Sequence, residues 1–246
     1  MAVMEKTIDI LGDDAFSEAL LARTMLDGQP VDLYDDVITK LRAYALYYMK
    51  KVESVNFPNV RSVGKYAFLG CSSLKKVTLE KCTNFDQEAM KGCGQVTEIN
   101  APLITSVGAY CFSGTQIEKA DFPLLLALSG NGVFANCDKL KTVILPKVTT
   151  CATSSFYRCF ALEQIDLPSI KSLSNGLLTN CTALRTVNLG PNIKTISEKA
   201  FSDTPDGLII NLPISEGTIA NAPWGAPNAV IHYDTPYAGN VPMPEN

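Results

Sequence analysis

The segments Leu140–Pro146 (LKTVILP) and Leu162–Pro168 (LEQIDLP) decide the fold, because they carry the same pattern twenty-two residues apart. Phe156–Leu162 (FYRCFAL) is likewise matched by Leu178–Leu184 (LTNCTAL) at the same interval. A repeat of this length is typical of a solenoid, in which each unit is one coil that buries its apolar residues only against neighbouring coils. The sequence therefore predicts a stack of coils along the chain.

Strand segments recur at spacings of 21 to 23 residues on both sides of this stretch. They begin at Val52, Leu74, Val96, Ile117, Leu140, Leu162, Leu184 and Gly207. The single-residue gains and losses are expected in turns such as Ser129–Gly132, because an extra residue inside a strand would reverse every side chain beyond it. The register of the stack is therefore predicted to survive these changes.

Each strand segment alternates, so one set of side chains faces the core and the residue between them faces outward. The predicted inward pairs are Val55 and Phe57, Val77 and Leu79, Ile99 and Ala101, Ala120 and Phe122, Val143 and Leu145, Ile165 and Leu167, Val187 and Leu189, and Ile210 and Leu212. The residues between them form what we call the outer row, the candidate ligand-binding face: Asn56, Thr78, Asn100, Asp121, Ile144, Asp166, Asn188 and Asn211.

The second half of each coil carries a bulky apolar residue at a fixed position, which we call the knob row. Its members are Phe68, Met90, Phe112, Phe134, Phe156, Leu178 and Phe201. Because the coils stack in register, these side chains are predicted to line up through the solenoid. A group of five tyrosines, Tyr44, Tyr47, Tyr48, Tyr66 and Tyr110, is expected to pack around this row rather than to contact a partner.

The repeat pattern divides the chain into four segments. Residues 1–36 are predicted to form an N-terminal cap with a short helix that begins after Asp13 or Asp14 and ends before Gly28. Residues 37–212 form the solenoid of about seven to eight repeats of 22 residues. Residues 213–233 form a C-terminal cap, with Trp224 over the last coil, and residues 234–246 an extended or disordered tail.

The eight cysteines could form disulfides or bind a metal, so we compared their positions with the repeat. All of them fall at positions that the repeat assigns to the interior: Cys71, Cys82, Cys93, Cys111, Cys137, Cys151, Cys159 and Cys181. Cysteines stacked on successive coils have parallel Cβ vectors, whereas a disulfide needs them to converge. There is no C-x2-C pair, and the only histidine, His232, lies outside the array. Free buried thiols are predicted, with no metal site.

Composition excludes several classes of function. A net charge of −4 and a pI near 5.1 provide no basic surface for nucleic acid. No apolar run approaches the ~20 residues of a membrane helix, so no membrane insertion is expected. Lys6 and Asp9 interrupt the N-terminal apolar patch, so a secretory signal is not expected either. No arrangement of nucleophile, base and orienting group is visible, so the sequence predicts no enzyme, no catalytic residue and no cofactor site.

The segment Phe57–Leu74 (FPNVRSVGKYAFLGCSSL) resembles the leucine-rich repeat of BspA type, and the likeness extends over about residues 37 to 206. The resemblance implies an α/β-type repeat solenoid, mostly β and irregular coil, wound as a right-handed superhelix with a parallel sheet on its concave face. Members of the family are commonly surface-exposed proteins of gut and oral bacteria and of some protists, associated with adhesion, and they also occur in phage and prophage genomes. The family has no catalytic motif.

The resemblance and the polar outer row together favour a non-enzymatic recognition or adhesion module. Its expected partner is a host or bacterial surface protein or glycan, met at the cell surface or outside the cell. The alternative is a structural or spacer component of a phage or prophage particle, and the lack of a visible signal peptide keeps both the particle and the cytoplasm open as locations. The sequence leaves open the ligand, the oligomeric state, and whether the concave face, the convex face or the tail makes the contact.

Overall fold

The protein is built from short strands that alternate between two sides of each coil. The computed structural model describes residues 31–36 and 38–244. Strands of the first side, which carries the outer row, are β1 (Val31–Tyr34), β3 (Val52–Asn56), β5 (Lys76–Thr78), β7 (Glu98–Asn100), β9 (Lys119–Asp121), β11 (Thr142–Ile144), β13 (Gln164–Leu167), β15 (Thr186–Leu189), β17 (Ile209–Asn211) and β18 (Val230–His232). Strands of the second side are β2 (Lys40–Leu41), β4 (Ser62–Val63), β6 (Asn84–Phe85), β8 (Ser106–Val107), β10 (Ala127–Leu128), β12 (Thr150–Cys151), β14 (Ser172–Leu173) and β16 (Thr195–Ile196).

All strand pairs are parallel and join successive coils. On the first side the strands pair in the orders β1-β3-β5-β7, β9-β11 and β13-β15-β17-β18, and on the second side in the orders β2-β4-β6-β8 and β10-β12-β14-β16. Val55 is paired with Val77, and Ile165 with Val187, so equivalent residues of neighbouring repeats lie side by side. The prediction of a parallel-stranded solenoid of stacked coils is confirmed.

The helical component of the predicted α/β-type fold is wrong for the part of the chain that is described. Residues 31–36 and 38–244 contain no α-helix, and so none that could cross a membrane. The return segments of the coils instead consist of turns with left-handed residues, in most coils at two fixed points, such as Tyr66 at φ 60° and Gly70 at φ 72°. A right-handed helix cannot continue through such residues. The predicted helix between Asp13 and Gly28 lies outside the described residues.

The core runs along the inside of the stack without interruption. The predicted inward residues are all at most 5% exposed, except Ile99, which is half-buried. The knob row is fully buried, and its rings stack at centroid distances of 5.4 Å from Phe112 to Phe134 and 5.6 Å from Phe134 to Phe156. The predicted alignment of the knob row is therefore confirmed.

The stack continues beyond the repeats recognised in the sequence at both described ends. β1 pairs with β3, which places Tyr34 beside Asn56, within the segment 1–36. β18 pairs with β17, within the segment 213–233. Trp224, which is 1% exposed, packs beside Phe201, the last residue of the knob row: the Phe201 N–H donates to the Trp224 carbonyl and their rings meet edge to face at 6.4 Å. Aromatic burial thus closes the C-terminal end of the core.

The strands of the outer row form three separate ladders instead of one ribbon. The first gap lies between β7 and β9, in the coil that is one residue shorter around Thr115–Ile117. The second gap lies between β11 and β13. The outer row is therefore divided into segments with their own hydrogen-bonded neighbours.

All eight cysteines are buried and free, as predicted. Five of the thiols also donate to a main-chain carbonyl of the preceding coil, for example Cys137 to the Phe112 oxygen at 3.2 Å and Cys159 to the Phe134 oxygen at 3.2 Å. Thr115 occupies the same position in another coil, and its hydroxyl donates to Phe112 at 2.9 Å. The position selects a small side chain that can donate one hydrogen bond, which explains why cysteine and threonine share it.

Candidate functional site

The outer row is placed by strand pairing, which holds its members at adjacent positions on one side of the sheet. Burial divides it into two halves. Asn56, Asn100 and Asp121 are exposed, whereas Asp166 and Asn188 are each only 4% exposed. The remaining members are half-buried: Thr78, Ile144 and Asn211. We call the stretch from Asn56 to Asp121 the open half and the stretch from Asp166 to Asn211 the covered half.

The open half carries polar side chains that are exposed to solvent. Within the described part of the chain, the amides of Asn56 and Asn100 have no side-chain hydrogen-bond partner. Asp121 forms an ion pair with Lys119 at 2.6 Å, and both side chains are about half exposed. An exposed pair of this kind contributes at most about 1 kcal/mol to stability. These groups are therefore free to bind a partner with little loss to the fold.

The covered half contains a ladder of side-chain hydrogen bonds. The Asn188 amide donates to Asp166 Oδ1 at 2.7 Å, and the Asn211 amide donates to Asn188 Oδ1 at 2.7 Å. His232 Nδ1 lies 2.9 Å from Asn211 Oδ1 and extends the ladder to β18. With Asn211 oriented in this way its Oδ1 can only accept, so His232 is the donor. The ladder joins four successive strands on the face of the sheet.

The C-terminal tail covers the acidic end of this ladder. Asp166 Oδ2 accepts the main-chain N–H groups of Asn240 at 2.6 Å and Val241 at 3.3 Å. The Gln164 amide also donates to Asp166, at 2.8 Å to Oδ1 and 3.1 Å to Oδ2. Burial of a carboxylate is costly unless donors surround it, and here side-chain and main-chain donors do so without a cation. Asn240 and Val241 therefore lie against the sheet.

Tyr237 fixes the shape of the tail at this point. Its hydroxyl donates to the Val241 carbonyl at 2.7 Å. Burial, and secondly the neighbouring Asp166 carboxylate, raise the pKa of Tyr237 well above its ordinary value. The hydroxyl therefore keeps its proton, which this hydrogen bond requires.

Several residues of this face were not identified from the sequence. Tyr34 and His232 occupy the outer row beside Asn56 and Asn211, because β1 and β18 pair in register with their neighbours. The apolar alternation of Val230–His232 matches that of Ile209–Asn211 and was sufficient to extend the row. The tail contact has no such signal, because Asn240 lies seventy-four residues from Asp166 and outside the period.

The expectation that the tyrosines pack around the knob row is wrong for four of the five. Their exposed fractions are 44% for Tyr44, 41% for Tyr47, 50% for Tyr48 and 38% for Tyr110. Tyr44 lies 5.4 Å from Tyr47 and 5.0 Å from Tyr66 between ring centroids, so several rings form one cluster. The knob row is filled by other residues, and the tyrosines lie outside it in the turns. We call the cluster of Tyr44, Tyr47, Tyr48 and Tyr66 the tyrosine patch.

Buried cysteines of the described residues are held in their protonated form, and no cluster of metal-ligating side chains accompanies them there. No group of three or more His, Cys, Asp or Glu side chains in residues 31–36 and 38–244 is arranged to hold a metal ion. Burial raises the pKa of Cys137, Cys151 and Cys181 to about 12, so their thiols stay protonated at neutral pH. A protonated, buried thiol is neither a nucleophile nor a metal ligand.

Comparison with known proteins gives the following similarities. The sequence model of the BspA type leucine rich repeat region matches residues 2–117 and 105–223, with six copies. Similar solved structures include a leucine rich cell surface protein from Faecalibacterium prausnitzii A2-165, which is 18% identical with a TM-score of 0.45 and covers 80% of this chain and 83% of that one. The T. pallidum leucine rich repeat protein is 21% identical with a TM-score of 0.48, covering 68% of this chain and 72% of that one. A leucine-rich repeat protein from Bacteroides ovatus ATCC 8483 is 15% identical with a TM-score of 0.35 and covers 83% of each chain. No curated protein matches significantly.

Proposed function

The chain belongs to the BspA-type leucine-rich repeat family, and on that premise we propose that it is a non-enzymatic recognition module. In this proposal the open half of the outer row binds a protein or glycan of a host or bacterial surface. The module acts outside the cell or on a cell surface, the location that the family resemblance favours. The partner is neither nucleic acid nor the interior of a membrane.

The observation that carries the proposal is the contrast between the two halves of the outer row. In the covered half, amides such as Asn188 are paired with neighbouring side chains, whereas Asn56 and Asn100 in the open half are exposed and have no such pair in the described part of the chain. Unpaired amides on a rigid sheet donate and accept hydrogen bonds without first losing internal ones. Such a surface is suited to polar ligands, including the hydroxyl groups of glycans.

The test is binding to a panel of glycans and extracellular matrix proteins, measured by biolayer interferometry with the full chain. In the face variant, the open half is changed at four positions: Asn56→Ala, Thr78→Ala, Asn100→Ala and Asp121→Ala. A matched control changes exposed polar residues elsewhere on the coils: Ser72→Ala, Gln95→Ala and Asp138→Ala. The face variant is expected to lose at least tenfold in affinity for any ligand found, while the control keeps the wild-type affinity.

Two results would contradict this assignment. Equal affinity of the face variant and the wild type would remove the open half as the contact. If a variant with Tyr44→Ala, Tyr47→Ala and Tyr48→Ala then lost binding, the tyrosine patch would be the contact surface instead. A wild-type chain that binds nothing on the panel would favour the alternative, in which the solenoid is a structural or spacer component of a phage or prophage particle.

A further inference from the structure

The covered half of the outer row holds a bent segment of main chain, and that segment is the protein's own tail. Asp166 accepts two consecutive main-chain N–H groups, from Asn240 and Val241. The contact uses only the backbone of the tail, so any segment that bends so that two consecutive N–H groups point at the carboxylate can make it. The carboxylate is oriented by Gln164 and Asn188, which belong to the sheet, so the acceptor is positioned independently of the tail.

Two neighbouring features would select among peptides. At Gly239 an added Cβ would lie 2.6 Å from Cζ of the tail's own Tyr237 and 2.8 Å from the Asp166 Cγ, both closer than real Cβ contacts occur, so glycine fits best between that ring and the carboxylate. Val241 is 5% exposed and lies against the sheet. The selected pattern is therefore glycine, a second residue that donates its N–H, and then an apolar residue.

The tail does not fill the space available to it. A cavity of about 220 Å³ remains between the tail and the sheet beside Val241, bounded by Val143 and Ile144 of β11 and by Pro242 of the tail. An apolar side chain larger than valine would reach further into this space and bury more surface. The tail therefore leaves part of the site beside Val241 unfilled.

We propose that the covered half of the outer row is a binding site for a segment of a partner protein that bends as the tail does and has the pattern glycine, any residue except proline, and a branched apolar residue larger than valine. The tail occupies this site in the free protein and is displaced by the partner. The incomplete filling beside Val241 favours a partner segment over the tail of a second copy, which would fill the site no better. The covered half and the open half are different parts of the sheet, so the absence of binding at one would not exclude binding at the other.

Competition by the tail determines how the proposal has to be tested. A segment tethered to the same chain has an effective concentration that reaches the millimolar range, so a free peptide of equal quality binds the wild type poorly. Val241→Asp in the full chain places a second carboxylate near Asp166 and is expected to release the tail by like-charge repulsion. Hydrogen exchange at residues 240 and 241 reports the release, because both amides are hydrogen-bonded in the wild type.

The binding experiment uses a fluorescently labelled peptide with the sequence of residues 234–244, measured by fluorescence polarisation. The peptide is expected to bind the Val241→Asp chain at least tenfold more tightly than the wild-type chain. A peptide with Asn240→Pro lacks one of the donated N–H groups and should bind at least tenfold more weakly. A peptide with Val241→Leu should bind about fourfold more tightly, the gain expected for one buried methylene.

Asp166 itself is tested in the released background. Adding Asp166→Ala to the Val241→Asp chain should abolish peptide binding, and the isosteric Asp166→Asn should weaken it even if the alanine variant folds poorly. The proposal is overturned if the peptide binds the wild-type and Val241→Asp chains equally, if the Asn240→Pro peptide binds as well as the parent, or if exchange protection persists in the Val241→Asp chain. A concentration-dependent dimer that requires the tail would assign the site to a second copy and also overturn it.

Discussion

Replacing Phe134 with alanine removes the centre of the knob row and tests whether the coils share one core. Phe134 is fully buried, and its ring lies 5.4 Å from that of Phe112, 5.6 Å from that of Phe156 and 6.1 Å from that of Phe122. Truncation therefore removes packing against three rings, one from the same coil and one from each neighbouring coil. Buried phenylalanine-to-alanine changes cost about 3 to 5 kcal/mol, because the lost transfer free energy is joined by that of a cavity. We expect a cost near the upper end of this range, since rings held on both sides cannot easily move into the space.

The matched control is Phe134→Leu. Leucine occupies the same knob position at Leu46 and Leu178, and both are fully buried, so the fold accepts it there. The leucine variant keeps most of the volume and should lose less than about 1.5 kcal/mol. A total stability of about 5 to 15 kcal/mol leaves both variants measurable.

The assay is urea unfolding, followed by far-UV circular dichroism and by the fluorescence of Trp224, the single tryptophan. Coincident transitions from the two probes establish that one free energy of unfolding describes the whole chain. The reasoning would be refuted if the alanine variant were within about 1 kcal/mol of wild type, or if alanine and leucine cost the same. Either result would mean that the ring of Phe134 is not packed between its neighbours.

Three further changes test the backbone, the thiols and the ladder. Gly114 has φ +75° and an added Cβ would meet nothing closer than 3.7 Å, so Gly114→Ala should cost about 1 kcal/mol in urea unfolding through backbone strain alone. Gly94→Ala, where φ is ordinary and the space is empty, should be nearly neutral, and equal losses would contradict this. Burial raises the pKa of Cys137 to about 12, above the ordinary thiol value of about 8.5, so unfolded thiols lose their protons first as the pH rises. Stability should therefore be unaffected by this group below pH 8.5 and fall above it by up to about 1.4 kcal/mol per pH unit, and a Cys137→Ala variant that falls as steeply as wild type would argue against it. Asn188→Ala removes a buried amide that both donates and accepts, and should cost about 1 to 3 kcal/mol, whereas the exposed Asn100→Ala should stay within about 0.5 kcal/mol; similar values for the two would contradict the ladder.

The sequence was sufficient to predict the repeat and the alignment of its buried positions. A period of twenty-two residues places Phe112, Phe134 and Phe156 at equivalent positions, and equivalent positions in a stack of coils must be neighbours. The same argument correctly placed the cysteines in the interior. It could not reveal that the thiols donate to the preceding coil, because that depends on which carbonyl each side chain reaches.

Features that depend on local backbone geometry were harder to predict. The left-handed conformation recurs at Tyr44, Tyr66 and Tyr110, where tyrosine gives no compositional sign of a positive φ. Without that sign, an apolar run such as Ala43–Met49 is compatible with a helix or with burial around the knob row. The structure shows turns instead, with Tyr47 and Tyr48 exposed. The exposure of these tyrosines could therefore not be predicted, because it depends on left-handed backbone conformations that the sequence does not indicate.

The position of the tail follows from the direction of the ladder. Each member donates toward the N-terminal end, from His232 to Asn211, from Asn211 to Asn188 and from Asn188 to Asp166. A carboxylate has acceptors only, so the ladder has to end at Asp166. The next member of the outer row is Ile144, whose side chain has no donor, so the remaining acceptor capacity of Asp166 has to be satisfied from outside the row.

Main-chain N–H groups of a bent segment meet that requirement without a charged side chain, because the bend turns two consecutive donors toward the same oxygen. One isoleucine in the outer row thus has two consequences. It interrupts the polar row between Asp121 and Asp166, and it leaves Asp166 without a side-chain donor from the preceding coil, a place that the main chain of the tail takes. If Ile144→Asn supplied a side-chain donor to Asp166, it would compete with the tail for the carboxylate, and the exchange protection at Asn240 should fall. Unchanged protection, with the ladder shown to extend to the new amide, would disconnect the tail from the unsatisfied acceptor.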